Sequence, residues 1–592
     1  MKIKNIALYI ALYNCLTLII SSLYIPVNAG EMEESITVKN PTTANSLQDS
    51  QNAQLLLSDS ESYSETAQNQ DILDENNTTI EYTLTPLQLT PFDPMTVETA
   101  NTLPQGAFYT TYGANIFSTG SEGAGTGLQV YNGSIDYGIN KDLQIGLALS
   151  FFDDTLSTRF NGRQTDFGFF SLAPRIKYKF IDKDNYDVAV IGSLEWLKVT
   201  SENGLFNGGD RSSQDNTLAG TIQVPFTYSF DDVYQWHVVG GLSVFPDTVN
   251  NGGDFYGTFF NIGTGISFKF AEQFGFFADV NVPLGPGGNS VNTRGDIGKS
   301  VVWSAGLNYL HSPAVGVDLS ITNRLGSTPA TRLLAFPPDG GNVGVGLNVR
   351  YTPDIFANYA PSFGDTPMTP LTNRDKQLLF DGFILTTPNT IRQGAFSLDT
   401  GLSPNYNFQL GYGLSNNAQL EFTGQQIADT DEPIGNSFKL GAATKLNFLN
   451  QANGDPFSFG IRGAFGESSD AGDGVGSFSA EAAFTYSAND NIALFFNPKA
   501  GLFGDNRILG AGLGINFQPF PGLQFIGEVT PMVSNDPTVW AAGARYMPPK
   551  TNFGIGVYGS NAAGSTNISN VIRQKDNNVS VGFNVMWLLG NN

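Results

Sequence analysis

The chain holds one cysteine, Cys15, and two histidines, His237 and His311. An intrachain disulfide is therefore impossible, and little material remains for a zinc centre or a cysteine nucleophile. Charge is also sparse. Lys plus Arg number 30 and Asp plus Glu 54 in 592 residues, 14% of the chain, for a formal charge of −24. Ordinary soluble domains carry roughly 25% charged residues. The acidity removes the basic footprint that nucleic-acid binding requires, so no nucleic-acid partner is expected. After the first thirty residues, no apolar run approaches the ~18 residues of a membrane-crossing helix. What is abundant is Gly (67), Phe (45) and Tyr (22). Such a composition favours sheet over helix and reads as an exported all-β protein.

Lys2 and Lys4 precede an apolar stretch from about Ile6 to Ile25, followed by the small-residue exit Val27-Asn28-Ala29. That is the pattern of a secretory signal peptide over 1–29, an uncleaved anchor being the alternative. Cys15 lies within it, too early for a lipoprotein cleavage site. Residues 30–100 are expected to form an acidic disordered segment. Between Glu31 and Glu98 there are 13 acids and one base, Lys39, too little apolar surface to offset the entropy of ordering. A solvated leader is the simpler reading, and a tether or a plug the functional one.

From Gly106 onward the hydrophobic period is two. Leu143, Ile145, Leu147, Leu149 and Phe151 share one face, with Gln144, Gly146, Ala148 and Ser150 on the other. Between Phe170 and Phe180 the apolar set Phe170, Leu172, Ile176, Tyr178 and Phe180 alternates with Ser171, Ala173, Arg175, Lys177 and Lys179. Only a strand uses that period. Short connections such as 140–142, 182–185 and 272–273 alternate with long polar ones, including Ser157–Phe167, Ser201–Asn216, Gly285–Ser300 and Ser327–Asn342. Short turns gathered at one end predict an up-and-down membrane barrel, with short periplasmic turns and longer external loops. Strands of 10–14 residues suit the ~9–11 that cross a bilayer when tilted. Tyr178, Phe180, Tyr234, Trp236, Trp303 and Tyr309 fall toward strand ends, as an interfacial girdle requires.

The chain also repeats itself. Thr102-Leu103-Pro104-Gln105-Gly106-Ala107-Phe108 returns as Thr390-Ile391-Arg392-Gln393-Gly394-Ala395-Phe396, Tyr137-Gly138-Ile139 as Tyr412-Gly413-Leu414, and Val302-Trp303-Ser304-Ala305-Gly306 as Val539-Trp540-Ala541-Ala542-Gly543. Asn342–Val349 returns as Asn578–Val585, so the offset falls from 288 to 236 and the second copy has shorter loops. A unit of about 12 strands is duplicated. An even count returns each copy to its starting side, so one 24-stranded barrel would need only a short turn at the join. Instead the Pro-rich stretch 355–388 separates the copies, a linker's composition. The expected architecture is two tandem antiparallel barrels, at 101–354 and 389–592, with one barrel of about 24 strands as the alternative.

With the Thr-Leu-Pro-Gln-Gly lead-in, the loop alternation and the 12-strand unit, residues 100–592 resemble porin-like bacterial outer-membrane β-barrel proteins. The final Met586-Trp587-Leu588-Leu589-Gly590-Asn591-Asn592 departs from the terminal aromatic common in such barrels. The resemblance implies an outer-membrane location with both termini periplasmic. It implies outer-membrane lipid, the outer-membrane assembly machinery and small polar solutes or ions as partners. Porin-like barrels are often trimeric, but no subunit interface is legible in the sequence.

If the apolar faces meet lipid, the others line the lumen. Arg175, Lys177 and Lys179 then point inward in the first copy and Lys439 and Lys445 in the second, with Lys177 and Lys445 at equivalent positions. Asp279 and Glu528 are likewise equivalent and inward. Such residues either form a selectivity constriction or fill and brace the barrel. His237 is in phase with Gln235 and faces the lumen, and His311 lies beside a short turn. The second copy has no histidine, so a lipid-hydrolase triad has no consistent support and no enzyme activity is expected. Asp182, Asp184 and Asp187 lack the later ligands of a calcium loop. Gly510, Gly512 and Gly514 share a strand face and mark close packing, not a phosphate cradle. The acidic loop Asp470–Asp473 is taken as solvated. No cofactor or resident metal is expected. The functional expectation is passive diffusion of small polar solutes or ions, the alternative being a non-conducting barrel that displays its loops.

Overall fold

A computed structural model describes residues 95–117, 128–202, 205–206, 211–231, 233–249, 253–353, 370–428, 437–468, 476–503, 506–533 and 537–590, with a short antiparallel ribbon of 71–73 on 79–81 and a few isolated positions besides. The signal peptide and the Asp470–Asp473 loop lie outside the described residues. No helix among the described residues is long and apolar enough to cross a membrane.

Two barrels close separately. The first comprises β1 (Phe108–Phe117), β2 (Leu128–Gly138), β3 (Leu143–Phe160), β4 (Arg163–Asp182), β5 (Tyr186–Glu202), β6 (Arg211–Ser229), β7 (Tyr234–Val244), β8 (Thr258–Ala271), β9 (Phe274–Leu284), β10 (Val302–Ser312), β11 (Val315–Thr322) and β12 (Gly344–Tyr351). The second comprises β13 (Phe396–Leu402), β14 (Tyr406–Ser415), β15 (Ala418–Ile427), β16 (Ser437–Leu449), β17 (Ser458–Ser468), β18 (Ser477–Asn489), β19 (Ile492–Phe503), β20 (Asn506–Phe520), β21 (Leu523–Thr530), β22 (Val539–Tyr546), β23 (Phe553–Ser560) and β24 (Ser580–Leu589). Every neighbour pairs antiparallel, and each sheet seals where its last strand meets its first, β12 on β1 and β24 on β13. No backbone edge is left open, which is the condition for strands to sit in hydrocarbon. The 24-strand alternative is excluded.

Side-chain parity follows the sequence pattern. Ile176, Leu218 and Ile262 are 50%, 59% and 52% exposed on the outside, while Lys177, Thr217 and Asn261 beside them are buried within. An apolar exterior around a polar interior is inside-out for a water-soluble barrel and right for a bilayer.

Five strands are longer than the expected 10–14 residues, β20 by one residue and four others by more. β3 to β6 run 17–20 residues and form a tall wall on one side of the first barrel. The stretch read as a loop over Ser157–Phe167 is therefore mostly strand. It turns at Asn161-Gly162, both at positive φ (49° and 78°), the geometry of a tight two-residue hairpin. Ser201–Asn216 is likewise shortened by strand at both ends. The cause is that the inner face of this wall changes character. Phe152, Phe160, Phe167 and Phe169 point inward and pack with Phe245, Tyr256 and Phe336 of the incoming loops. The long-loop end of the first barrel is thus filled by an aromatic core.

The barrels touch along their outer walls. Val315, Val349 and Tyr351 of one meet Tyr412, Ala418 and Leu420 of the other. Lipid is as apolar as these side chains, so no hydrophobic gain drives the contact, and packing plus hydrogen bonds must hold it. Tyr112 Oη lies 2.9 Å from Thr444 Oγ1 across the junction, and His311 Nε2 donates to the Asn417 carbonyl at 2.7 Å. His311, expected only beside a turn, is a tie between barrels.

Candidate functional site

The predicted lumen residues do face inward, and what they meet is the chain itself. The segment preceding each first strand runs inside its own barrel as a strap. In the first barrel Met95, Val97 and Ala100 are fully buried. These residues belong to the stretch read as a disordered leader, so its last part is ordered within the barrel. In the second barrel the strap spans residues 381–391, the end of the stretch read as a linker. A short helix, α1 (Asn373–Gln377), precedes it at the mouth with a Thr372–Asp375 capping box. There burial pulls the Arg374 guanidinium down to about 10, and it donates to Asn516.

Both straps are held by the same positions. Asp279 on β9 accepts from the Thr96 N–H at 2.8 Å, and Glu528 on β21 accepts from the Phe383 and Ile384 N–H groups at 2.9 and 2.7 Å. Further along, Gln144 accepts from the Leu103 N–H and Gln419 from the Ile391 N–H, at 3.1 and 3.0 Å. The hydroxyls of Thr102 and Thr390 reach the carbonyls of Lys141 and Asn416. Lys177 donates to the Asn101 carbonyl and lies 3.8 Å from Glu98, while Lys445 meets Asp381 at 2.8 Å and Glu421 at 3.6 Å. Equivalence extends to the packing. Gly265 sits opposite Asp279 and Gly514 opposite Glu528 in the ladders. A Cβ at Gly263 or Gly265 would press on Val97 or Met95, and one at Gly512 or Gly514 on Leu385. The glycines read as marks of close packing admit the strap.

The remaining candidates divide. Arg175 pairs with Asp136, with its Nε 2.9 Å from Oδ1, and braces the wall. Lys179 sits lower, at the rim, with Asp182 and Asp187. Lys439 is buried on the lumen face of β16. His237 is held between Thr227 and Ser267 at 3.0 and 3.2 Å, the setting of a structural polar residue. No cluster of potential metal ligands exists among the described residues.

From the opposite end, the last loop of each repeat folds inward. In the first barrel Thr328 donates to Glu195 at 2.7 Å and Arg332 meets Glu98 of the strap at 2.8 Å. In the second, Asn567 accepts from Arg462 and Asn570 donates to Glu481, at 2.6 and 2.9 Å. Part of the first lumen keeps a polar character of its own. The side-chain amides of Gln223 and Asn261 are buried without a protein partner, a state that ordered water ordinarily satisfies.

The first strap fits the plug reading of residues 30–100, which was not the simpler one, and the second, read as a linker, escaped the sequence reading, although a signal was present. Asn101-Thr102 and Asn389-Thr390 extend the repeat to the residues before the Gln-Gly-Ala-Phe lead-in. A duplication that begins ahead of the first strand marks a segment kept for a position inside the fold.

Closed antiparallel walls, apolar belts and occupied polar lumens define a membrane-spanning double β-barrel of the outer-membrane type. Among solved structures, the NanC porin is 8% identical (41% of this chain, 98% of that one, TM-score 0.26). An outer-membrane channel from Pseudomonas putida F1 is 12% identical (43% and 97%, TM-score 0.30). A ferric enterobactin receptor variant from Pseudomonas aeruginosa is 9% identical (82% and 81%, TM-score 0.20). At these values the likeness carries no functional argument, and the architecture rests on the ladders above. No family model and no curated protein matches the chain.

Proposed function

We propose that this chain is an outer-membrane channel with two lumens, each held closed by its own strap, through which small polar solutes or ions pass passively when the strap withdraws. The observation that supports this best is the duplicated strap site. Two barrels whose loops have diverged in length keep equivalent acidic, basic and amide positions aimed at one inserted segment. Mere filling of a barrel needs only bulk. The straps are joined to the walls largely through side chain-to-backbone hydrogen bonds, so they can leave without unravelling the sheet. With a strap gone, Lys177 and Asp279, or Lys445 and Glu528, would line a charged lumen and bias the ions passed. Such transport requires no catalytic residue. The aromatic core at the long-loop end of the first barrel favours a second reading for that barrel, a closed scaffold that displays loops.

The deciding experiment is single-channel recording in a planar bilayer. The full chain should be mostly closed with rare openings. A Glu528→Ala chain, whose second strap has lost its anchor, should show more frequent openings of a single unitary size. A folded Glu528→Ala protein that never conducts would leave the display reading in its place.

A further inference from the structure

Above their contact the two barrels part, leaving between their outer walls a cavity of about 490 Å³. One wall carries Tyr131 and Phe151, stacked at 4.9 Å, and the other Phe465 and Phe478, at 5.1 Å. Between the aromatics of the second barrel the wall is low, because adjacent strands present Ala442, Gly463 and Ala480 outward. A Cβ built on Gly463 would meet nothing within 4 Å, so the groove is open space and not a tight helix-like contact. Tyr309 and Phe448 line one end, with His311 packed against both rings. The hydroxyls of Tyr112 and Thr444 satisfy one another, and Arg462, behind the wall, is turned inward to Glu421 and Asn567.

The geometry points to a lipid site, and we infer that the cleft holds an acyl chain of one bilayer phospholipid. Both walls are outward faces, so hydrocarbon is the medium that reaches them. An empty apolar space of this size would forfeit the dispersion contacts of all its lining atoms. The size suits a bound small molecule, since ligand pockets run roughly 300–1,000 Å³. The lining offers no free cation or hydrogen-bond donor, so a headgroup is not what is recognised. That disfavours a large anionic glycolipid, whose phosphates would call for basic side chains. A single chain laid between two aromatic pairs over an alanine-glycine groove satisfies the walls and mortars the barrels together. The inference depends on the membrane-spanning fold and is indifferent to conduction.

The test is native mass spectrometry of the full chain reconstituted in palmitoyl-oleoyl-phosphatidylglycerol nanodiscs and then released from them. The unaltered protein should retain one phosphatidylglycerol through activation that strips the rest. Gly463→Phe, which fills the groove, should retain none, and Gly463→Ala, which adds a methyl to open space, should still retain one. Ala442→Phe fills the same space from the neighbouring strand and keeps the test valid if Gly463→Phe fails to assemble. Equal retention in the filled variants, no retention in the unaltered chain, or a glycolipid in protein taken directly from its membrane would each overturn the inference.

Discussion

Replacing Glu528 by alanine should release the second strap. The carboxylate accepts two backbone N–H groups, at 2.9 and 2.7 Å, where the side chain is 4% exposed. A hydrogen bond to a charged group is worth about 1.5–3 kcal/mol. The two share one acceptor group and do not simply add, so the loss from the docked strap is on the order of 2–4 kcal/mol. At about 1.4 kcal/mol per tenfold, the undocked population rises roughly 30- to 700-fold. A thiol at the buried position Thr387, in a chain also carrying Cys15→Ser, reports that population, because maleimide reaches it only when the strap is out. With opening and closing faster than modification, the labelling rate follows the open fraction. Glu528→Gln keeps a carbonyl acceptor and should fall between. A folded Glu528→Ala protein labelled within threefold of its parent would refute the claim that this carboxylate holds the strap.

Other outcomes follow from the same contacts. Gly382→Ala places a Cβ on the Glu528 carboxylate, so it should speed labelling in the same assay with all charges retained. Lys445→Met leaves Asp381 without its cation while Glu421 keeps Arg462, a loss of about 3–5 kcal/mol, read as a lower temperature at which the folded electrophoretic band disappears. Ile262→Arg, on the 52%-exposed outer face near the middle of β8, should cost about 2–4 kcal/mol in lipid, seen as a weaker folded band after refolding into vesicles. If Ile262→Arg refolds like the parent, that face does not meet hydrocarbon.

How much of this was legible depended on what each signal measures. Strand parity was legible because one face meets lipid, so Ile176 beside Lys177 declares its side directly. The pairing of Lys177 with Lys445 and of Asp279 with Glu528 was legible because duplication supplied an internal comparison. Their partners were not, since a strap in an occupied lumen has neither period nor charge pattern of its own. Met95, Val97 and Ala100 are buried by a wall built much later in the sequence, and composition averaged over 30–100 conceals them. The tall wall was misjudged for a related reason. Phe160, Phe167 and Phe169 break the apolar-out rule because there the loops, not lipid, set which face is wet. His311 needed the neighbouring barrel to acquire its role.

The salt bridge between Arg332 and Glu98 has a temporal meaning. Glu98 leaves the ribosome before any strand of its barrel, whereas Arg332 belongs to the last loop but for one strand. Their meeting inside the lumen means that the earliest and latest parts of the repeat are joined in its interior. Because the strap is continuous with β1, and β1 forms the seam with β12, the wall closes around a segment already tethered at that seam. A folded first barrel with Glu98 and Arg332 in register thus has the first and last parts of its own repeat joined in one interior, whatever the second repeat is doing.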